Sequence, residues 1–471
     1  MRRLTRHLGY ALLWLAALLG VIGIALETPW IIACASCLIG LRFAVADIAR
    51  LKSQGISPVA VAAISIALSG FADTIGLLSM ATNHNSTYDK YADVRYLLLA
   101  SIVALFGWTS MILGIGLANR RFIRERLLIT LPMVRGRIST KALVSGGVVL
   151  SLLAMASTFL DSRPQLGAVY SLFLLTPHFV AFVLARIGFA RKQRGLIVVA
   201  LAIAFLASIR ALLFAYLRSD ALLPLIAFAL GAWLGGRSLA PFRSKYFLPL
   251  YLFGAIFVIY FRAFGDIRAS SVTSVGRLTA IIEYQQQLRE EDDEAAPAVL
   301  SRLTSFNQLS QIGRVVHEDG FYRGATLSYL SYAFIPRFLW PGKPKIAKGS
   351  WFAVRIGHGY QKADGRYSNA VNMTVPGELY LNFGLVGVVF GCVGFGLLIG
   401  ALWAKTEFWE NPRNIVGSAF GFYILWNSLK LGSDLQIAVT LIAMYLLFIA
   451  IAGAVALLRR QRSAVGVPRF Y

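Results

Sequence analysis

An all-α polytopic membrane protein is the fold class this sequence predicts, with about twelve transmembrane helices and one large extracytoplasmic loop that contains short helices. Three observations carry that expectation. Of the 471 residues 57% are hydrophobic, and the mean hydropathy of +0.66 is too high for a soluble domain. Uncharged runs close to the ~20 residues that cross a bilayer recur along the chain. Lys and Arg collect in alternate connections. With the N-terminus inside, segments 1–7, 41–56, 119–141, 186–194, 236–245, 404–415 and 459–471 hold 26 Lys/Arg against four acids, whereas the short outer loops hold four against five.

The net charge of +24 is therefore read as a topology signal, and nucleic acid is excluded as a partner. The first helix follows Met1-Arg-Arg-Leu-Thr-Arg-His7, a start that resembles a signal sequence. With so many later spans it is read as an uncleaved helix. The spans are placed at 8–26, 29–46, 57–80, 96–118, 142–160, 166–185, 195–217, 220–235, 246–263, 377–403, 416–431 and 435–458. Cys34 and Cys37 form a CxxC inside an apolar span, and with Cys392 they are the only cysteines. Buried or lipid-facing thiols explain them better than a metal or redox site.

Four parts follow: a nine-span bundle at 1–263, an extracytoplasmic cap at 264–376, three C-terminal spans at 377–458 and a basic tail at 459–471. The charge asymmetry puts both termini in the cytoplasm and the cap outside, which is the periplasmic face of the inner membrane in a double-membraned bacterium. Within the cap, Gly276 to Glu294 reads as a helix ending in an acidic turn. Ala298 to Val316 reads as an amphipathic helix, with Val299, Leu303, Phe306, Leu309, Ile312 and Val316 on one face. Thr326 to Ile335 reads as a short helix or re-entrant piece. Pro336, Pro341 and Pro344 then forbid regular helix.

Three constellations could carry chemistry. Cations outnumber acids from Arg302 to Arg366, and the set includes Arg314, Arg323, Arg337, Lys343 and Arg355 beside Trp340. Arginine forks bind phosphate oxygens in a bidentate way, although contact with anionic headgroups is the plainer use of any one of them. Charges also lie inside spans: Asp73, Arg210, Lys430 and Asp434. Such groups face a bundle interior or a wet cavity, so mutual ion pairing and a substrate role both remain open. Finally, Glu378 opens the tenth span with Asn382 four residues on, on the same helical face. It either caps the helix N-terminus or handles a sugar hydroxyl as base or orienting group. His317 and His358 are the other candidate bases of the cap. There is no DxD, no HExxH and no i, i+4 His pair, so no metal and no cofactor is expected.

Pro336-Arg-Phe-Leu-Trp-Pro-Gly-Lys-Pro344, then Gly349-Ser350, then Gly377-Glu-Leu-Tyr-Leu-Asn-Phe-Gly384 resembles the Wzy-type oligosaccharide repeat-unit polymerases of O-antigen and exopolysaccharide synthesis. The whole topology is similar, and Arg302 with Gly313 fits an R-x10-G spacing found in some members. The resemblance implies a GT-C-like helical fold and a metal-independent glycosyltransferase. Donor and acceptor would both be undecaprenyl-diphosphate-linked glycans, and a chain-length-regulating polysaccharide co-polymerase would be a partner alongside membrane lipid. Glu378, Arg337 and His358 would be catalytic. Arg210, Arg302, Arg314, Arg323, Trp340, Lys343, Arg355, Tyr380 and Asn382 would bind substrate. Two rival readings are an O-antigen ligase or other lipid-linked glycosyltransferase, and a lipid-glycan flippase. The second lacks the internal repeats usual in carriers.

Overall fold

A computed structural model describes residues 2–48, 57–82, 92–118, 140–156, 174–214, 218–236, 240–259, 304–333, 335, 339–344, 346–361, 367, 369–406, 408, 415–429 and 435–464. Among these residues the chain is all-α, and the only strand-like pairing is an isolated bridge between Gln361 and Tyr367. The N-terminal helices are α1 (Arg2–Ala25), α2 (Pro29–Ile48), α3 (Pro58–Thr82) and α4 (Leu97–Ala118). Next come α5 (Thr140–Ala156), α6 (Thr176–Arg191), α7 (Arg194–Phe214), α8 (Arg218–Gly236) and α9 (Leu248–Ile259). The amphipathic α10 (Phe306–Asp319) and the short α11 (Lys348–Arg355) precede α12 (Val375–Ala404), α13 (Ile415–Leu429) and α14 (Gln436–Ala464).

Among the described residues, six stretches are long and apolar enough to cross a membrane: Leu8–Ala25, Pro29–Ala46, Pro58–Thr82, Val94–Ala118, Arg194–Leu212 and Val375–Ala404. They make this a helical, membrane-embedded chain. Val144–Ala154, Ala221–Gly236, Lys245–Ile256 and Gln436–Ala450 are apolar but shorter.

Several boundaries differ from those expected. In the region expected as a span at 166–185 the described helix is Thr176–Arg191, which runs past the expected end, and residues 166–173 lie outside the described residues. Pro177 sits at an early helical position without needing its missing N–H. The cap helix expected at Gly276 to Glu294 lies outside the described residues. In α10 the described helix begins at Phe306, and Phe306, Leu309, Ile312 and Val315 form the buried face. Val315, not Val316, completes that stripe, because the step from Ile312 is three residues and not four. The short helix or re-entrant piece expected at Thr326 to Ile335 is made of a 3-10 turn, Ala325–Leu327, followed by one α-turn, Tyr329–Tyr332.

The described helices group into two compact units. One holds Met1–Val134, Val299–Ile335 and Lys343–Tyr471; the other holds Arg135–Ala298 and Pro336–Gly342. In the first, α4 and α12 lie along each other, as do α2 and α3. Small residues allow this: a Cβ on Gly114 would meet the Val393 carbonyl, and one on Gly396 would meet the Met111 carbonyl. Without a hydrophobic drive between helices in lipid, such close backbone approach supplies the packing contacts. In the second unit, Gly231 and Gly235 of α8 lie against the Phe182 and Arg186 carbonyls of α6. Leu184, Ile197, Phe228 and Phe247 fill its core.

α12 is not the continuous span expected. Gly384 has φ 66° and ψ −159°, a backbone state essentially confined to glycine, and it breaks the helix nine residues after its start. Its open side receives the Phe321 ring, 3.2 Å from where a Cβ would stand. Gly313 of α10 packs as tightly against Tyr96 and Leu99, which gives that glycine a packing reason.

Candidate functional site

The start of α12 is built around Glu378. Its N-cap is Thr374, whose Oγ1 accepts the Gly377 N–H at 3.1 Å, so Glu378 is not needed as the cap. Thr374 has φ 60° and ψ 156°, a costly state for a β-branched residue, and burial holds it there. The Glu378 side chain is 0% exposed. Lys348 Nζ donates to Oε1 at 2.8 Å and to Oε2 at 2.9 Å, and the Leu435 N–H donates to Oε2 at 2.9 Å. One carboxylate thus ties together α11, α12 and the entry to α14. On its other side Lys348 Nζ donates to the Tyr329 hydroxyl at 2.6 Å and lies 4.0 Å from that ring's centre. Taking both charges out of water costs roughly several kcal/mol for each ion, and their mutual attraction and hydrogen bonds offset it.

Asn382 holds the break in α12 closed. Its Nδ2 donates to the Glu378 carbonyl and to Thr326 Oγ1, each at 2.7 Å, and its Oδ1 accepts the Gly324 N–H at 2.9 Å. The helix ending at Gly384 leaves carbonyls without intrahelical partners. Tyr322 N–H donates to the Leu381 carbonyl and Arg323 N–H to the Asn382 carbonyl. Reaching them requires Arg323 to adopt φ 50° and Gly324 φ 93°. The Arg323 side chain is exposed and makes no hydrogen bond or ion pair among the described residues. Asn382 therefore shares a face with Glu378, as expected, but its amide serves backbone and Thr326. Tyr380 stacks edge-on against Phe321, 5.8 Å between ring centres.

A second buried carboxylate fastens the other end of the same stretch. Asp73 of α3 accepts the Ser305 N–H and hydroxyl, each at 2.7 Å, and the Phe306 N–H at 3.4 Å. It acts as an N-cap donated from another helix, satisfying amides that α10 leaves open. Ion pairing within the membrane, one of the two alternatives left open for Asp73, is not the arrangement seen among the described residues. Lys430 and Asp434 lie outside the described residues.

The other candidate site residues divide by their partners. Arg355 is a fork on Asp319, 2.9 and 2.7 Å, and also reaches Glu318 at 2.7 Å. Arg314 donates to the Ile356 carbonyl at 3.2 Å and lies 4.0 Å from Asp93. Lys343 is buried and donates to the Ala333 and Ile335 carbonyls, each at 2.8 Å. His358 follows α11; partial burial and then the nearby Arg314 charge hold its pKa below the usual imidazole value. Its ring is therefore neutral at neutral pH, the form that accepts a proton. Tyr96 stacks near His317, 5.9 Å between centres. Trp340 is exposed, and Arg210 is half-buried on α7 in the second unit. Arg302 and Arg337 lie outside the described residues. No group of three metal-ligating side chains occurs among the described residues.

The Asp319 carboxyl titrates at about 2, held down first by Arg355 and then by the Tyr322 hydroxyl. A lowered folded-state pKa stabilises the folded form above the ordinary carboxylate value, and that contribution is lost as pH falls through about 2. The stability that Arg355 lends is therefore expected to be present at neutral pH and to fade towards pH 2: in thermal unfolding Arg355→Ala should lie below the wild type at pH 7, with the gap narrowing as the pH falls to about 2. A gap that stays the same across that range would show that other groups govern this contact.

No family model, curated protein or solved structure matches the chain. The site rests on its own geometry. Reading the residues alone found Glu378 and Asn382 but missed Lys348 as a site residue, together with Tyr329, Thr326, Thr374 and Ser305. For Lys348 the available signal was a cation immediately before Gly349-Ser350, a pair already noted for the resemblance.

Proposed function

We propose that this chain is a polymerase that joins undecaprenyl-diphosphate-linked oligosaccharide repeat units at the periplasmic face of the bacterial inner membrane. It would have twelve spans, a GT-C-like architecture and cytoplasmic termini. The single observation that carries this reading is the Lys348–Glu378 pair. Its Glu378 lies inside the Gly-Glu-Leu-Tyr-Leu-Asn-Phe-Gly run that resembles the polymerases, and through Lys348 the stretch preceding α12 is fastened to the start of a broken membrane helix. Broken helices with buried charge at membrane depth are tolerated where they are enclosed by protein or border a cavity.

The chemistry follows from the substrates. The acceptor hydroxyl oxygen attacks the anomeric carbon of the donor glycan. The bond from that carbon to the diphosphate oxygen breaks, and its electron pair leaves on the lipid diphosphate. Cationic forks stabilise the departing charge. Arg302, Arg314 and the exposed Arg323 are assigned to that task, with Tyr380 against the sugar. Arg355 and Lys343 are assigned to shaping the site through Asp319 and the carbonyls of residues 333 and 335. The proton passes to Glu378, with His358 as the second acceptor.

Glycan analysis of a deletion strain tests this reading. Polymer replaced by glycans capped with a single repeat unit is the expected outcome. Long polymer that persists but is no longer transferred to its core would instead assign a ligase.

A further inference from the structure

In the arrangement observed, Glu378 is poorly placed to accept a proton, since Lys348 donates to both of its oxygens and Leu435 to one. A carboxylate so neutralised is a weak base. Yet Lys348 is the member of the pair nearer to water, its side chain 8% exposed against 0% for Glu378. Its ammonium ends a flexible four-carbon stem on a helix of only eight residues. The exposed Arg323 stands on the loop whose backbone bonds to Leu381 and Asn382, one turn beyond Glu378 on α12.

We propose that Lys348 is an exchangeable counter-ion: a lipid diphosphate draws its ammonium away from Glu378, and only then does Glu378 act as base. The inference rests on the polymerase reading and adds a donor-gated step to it. In the closed state the ammonium neutralises the carboxylate. An arriving diphosphate offers more negative charge and more acceptor oxygens than one carboxylate, so Lys348 transfers to it. Oε1 loses that ammonium while Oε2 keeps the Leu435 N–H, which holds the carboxylate in place. The acceptor hydroxyl then gives its proton to Oε1 as its oxygen bonds to the anomeric carbon. The anomeric carbon–oxygen bond to the diphosphate breaks, and Lys348 faces the charge that departs. Base strength thereby appears only when a donor is bound.

Competition between Glu378 and the diphosphate for one ammonium sets a test that a merely structural pair fails. Binding of undecaprenyl diphosphate to the purified full-length protein is measured for the wild type, Glu378→Gln and Lys348→Met. Removing the competing charge is expected to make Glu378→Gln bind at least about fivefold tighter, within the usual range of coupling between sites, while its chain growth falls about 10²-fold or more. Lys348→Met is expected to bind about tenfold weaker. A folded Glu378→Gln that binds no tighter than wild type overturns the proposal. Should that variant not fold, the wild type decides: undecaprenyl diphosphate is expected to speed carbodiimide modification of Glu378, and an unchanged or slower rate overturns it. The two readings separate in the same preparation. Chain growth without this coupling removes the exchange alone; coupling without chain growth upholds the exchange and removes the polymerase. A wild type that does not bind undecaprenyl diphosphate removes both.

Discussion

Lys348→Met is expected to destabilise the protein by about 3–5 kcal/mol, because it takes the Lys348 ammonium from a carboxylate held out of water. The cost comes from that removal and not from any large net worth of the pair. The double variant Lys348→Met/Glu378→Met should therefore recover most of the loss, since a buried ion pair replaced by apolar side chains of similar volume is often neutral or stabilising. Thermal unfolding of the purified protein in one detergent measures both. A single variant that loses less than about 1 kcal/mol would mean that Glu378 is solvated or otherwise paired once Lys348 is removed. A double variant as unstable as the single would show that Lys348 matters through packing on Tyr329 and not through charge.

Asp73→Ala should come second, at about 3 kcal/mol, since hydrogen bonds to a charged group contribute about 1.5–3 kcal/mol each and this carboxylate accepts several. The Ser305 and Phe306 amides would be left at a buried helix start with no acceptor from α3. Asp73→Asn retains one oxygen at the same place and should lose roughly half as much. The same unfolding measurement applies. Wild-type stability in Asp73→Ala would mean that the start of α10 finds another acceptor, and that α3 does not anchor it.

These two carboxylates also show where sequence reading stops. The helices were legible because apolar runs of bilayer length leave few alternatives. The buried face of α10 was legible at Phe306, Leu309 and Ile312 because three-to-four spacing is a local property. Glu378 stood out as a lone acid at the mouth of an apolar run. Its partner did not, since Lys348 lies 30 residues away in a stretch with many cations. Asp73 meets Ser305 across 232 residues, and nothing near either position announces the other. The break at Gly384 was hidden for a related reason. Glycine is common in membrane helices, and only the Phe321 ring packed on its open side, with the paired carbonyls of Leu381 and Asn382, marks this one as an interruption. The strain at Thr374 is likewise a product of tertiary packing.

The polymerase reading itself is tested most directly by chain growth in a defined system. The purified full-length protein, reconstituted in lipid, is given a single undecaprenyl-diphosphate-linked repeat unit and nothing else that transfers sugar. The glycans released from the lipid are then resolved by length. The account predicts a ladder of products at integral multiples of the repeat unit, lost in Glu378→Gln and in Lys348→Met. Recovery of the repeat unit unchanged by an otherwise folded wild-type protein, or a ladder undiminished in Glu378→Gln, would contradict it.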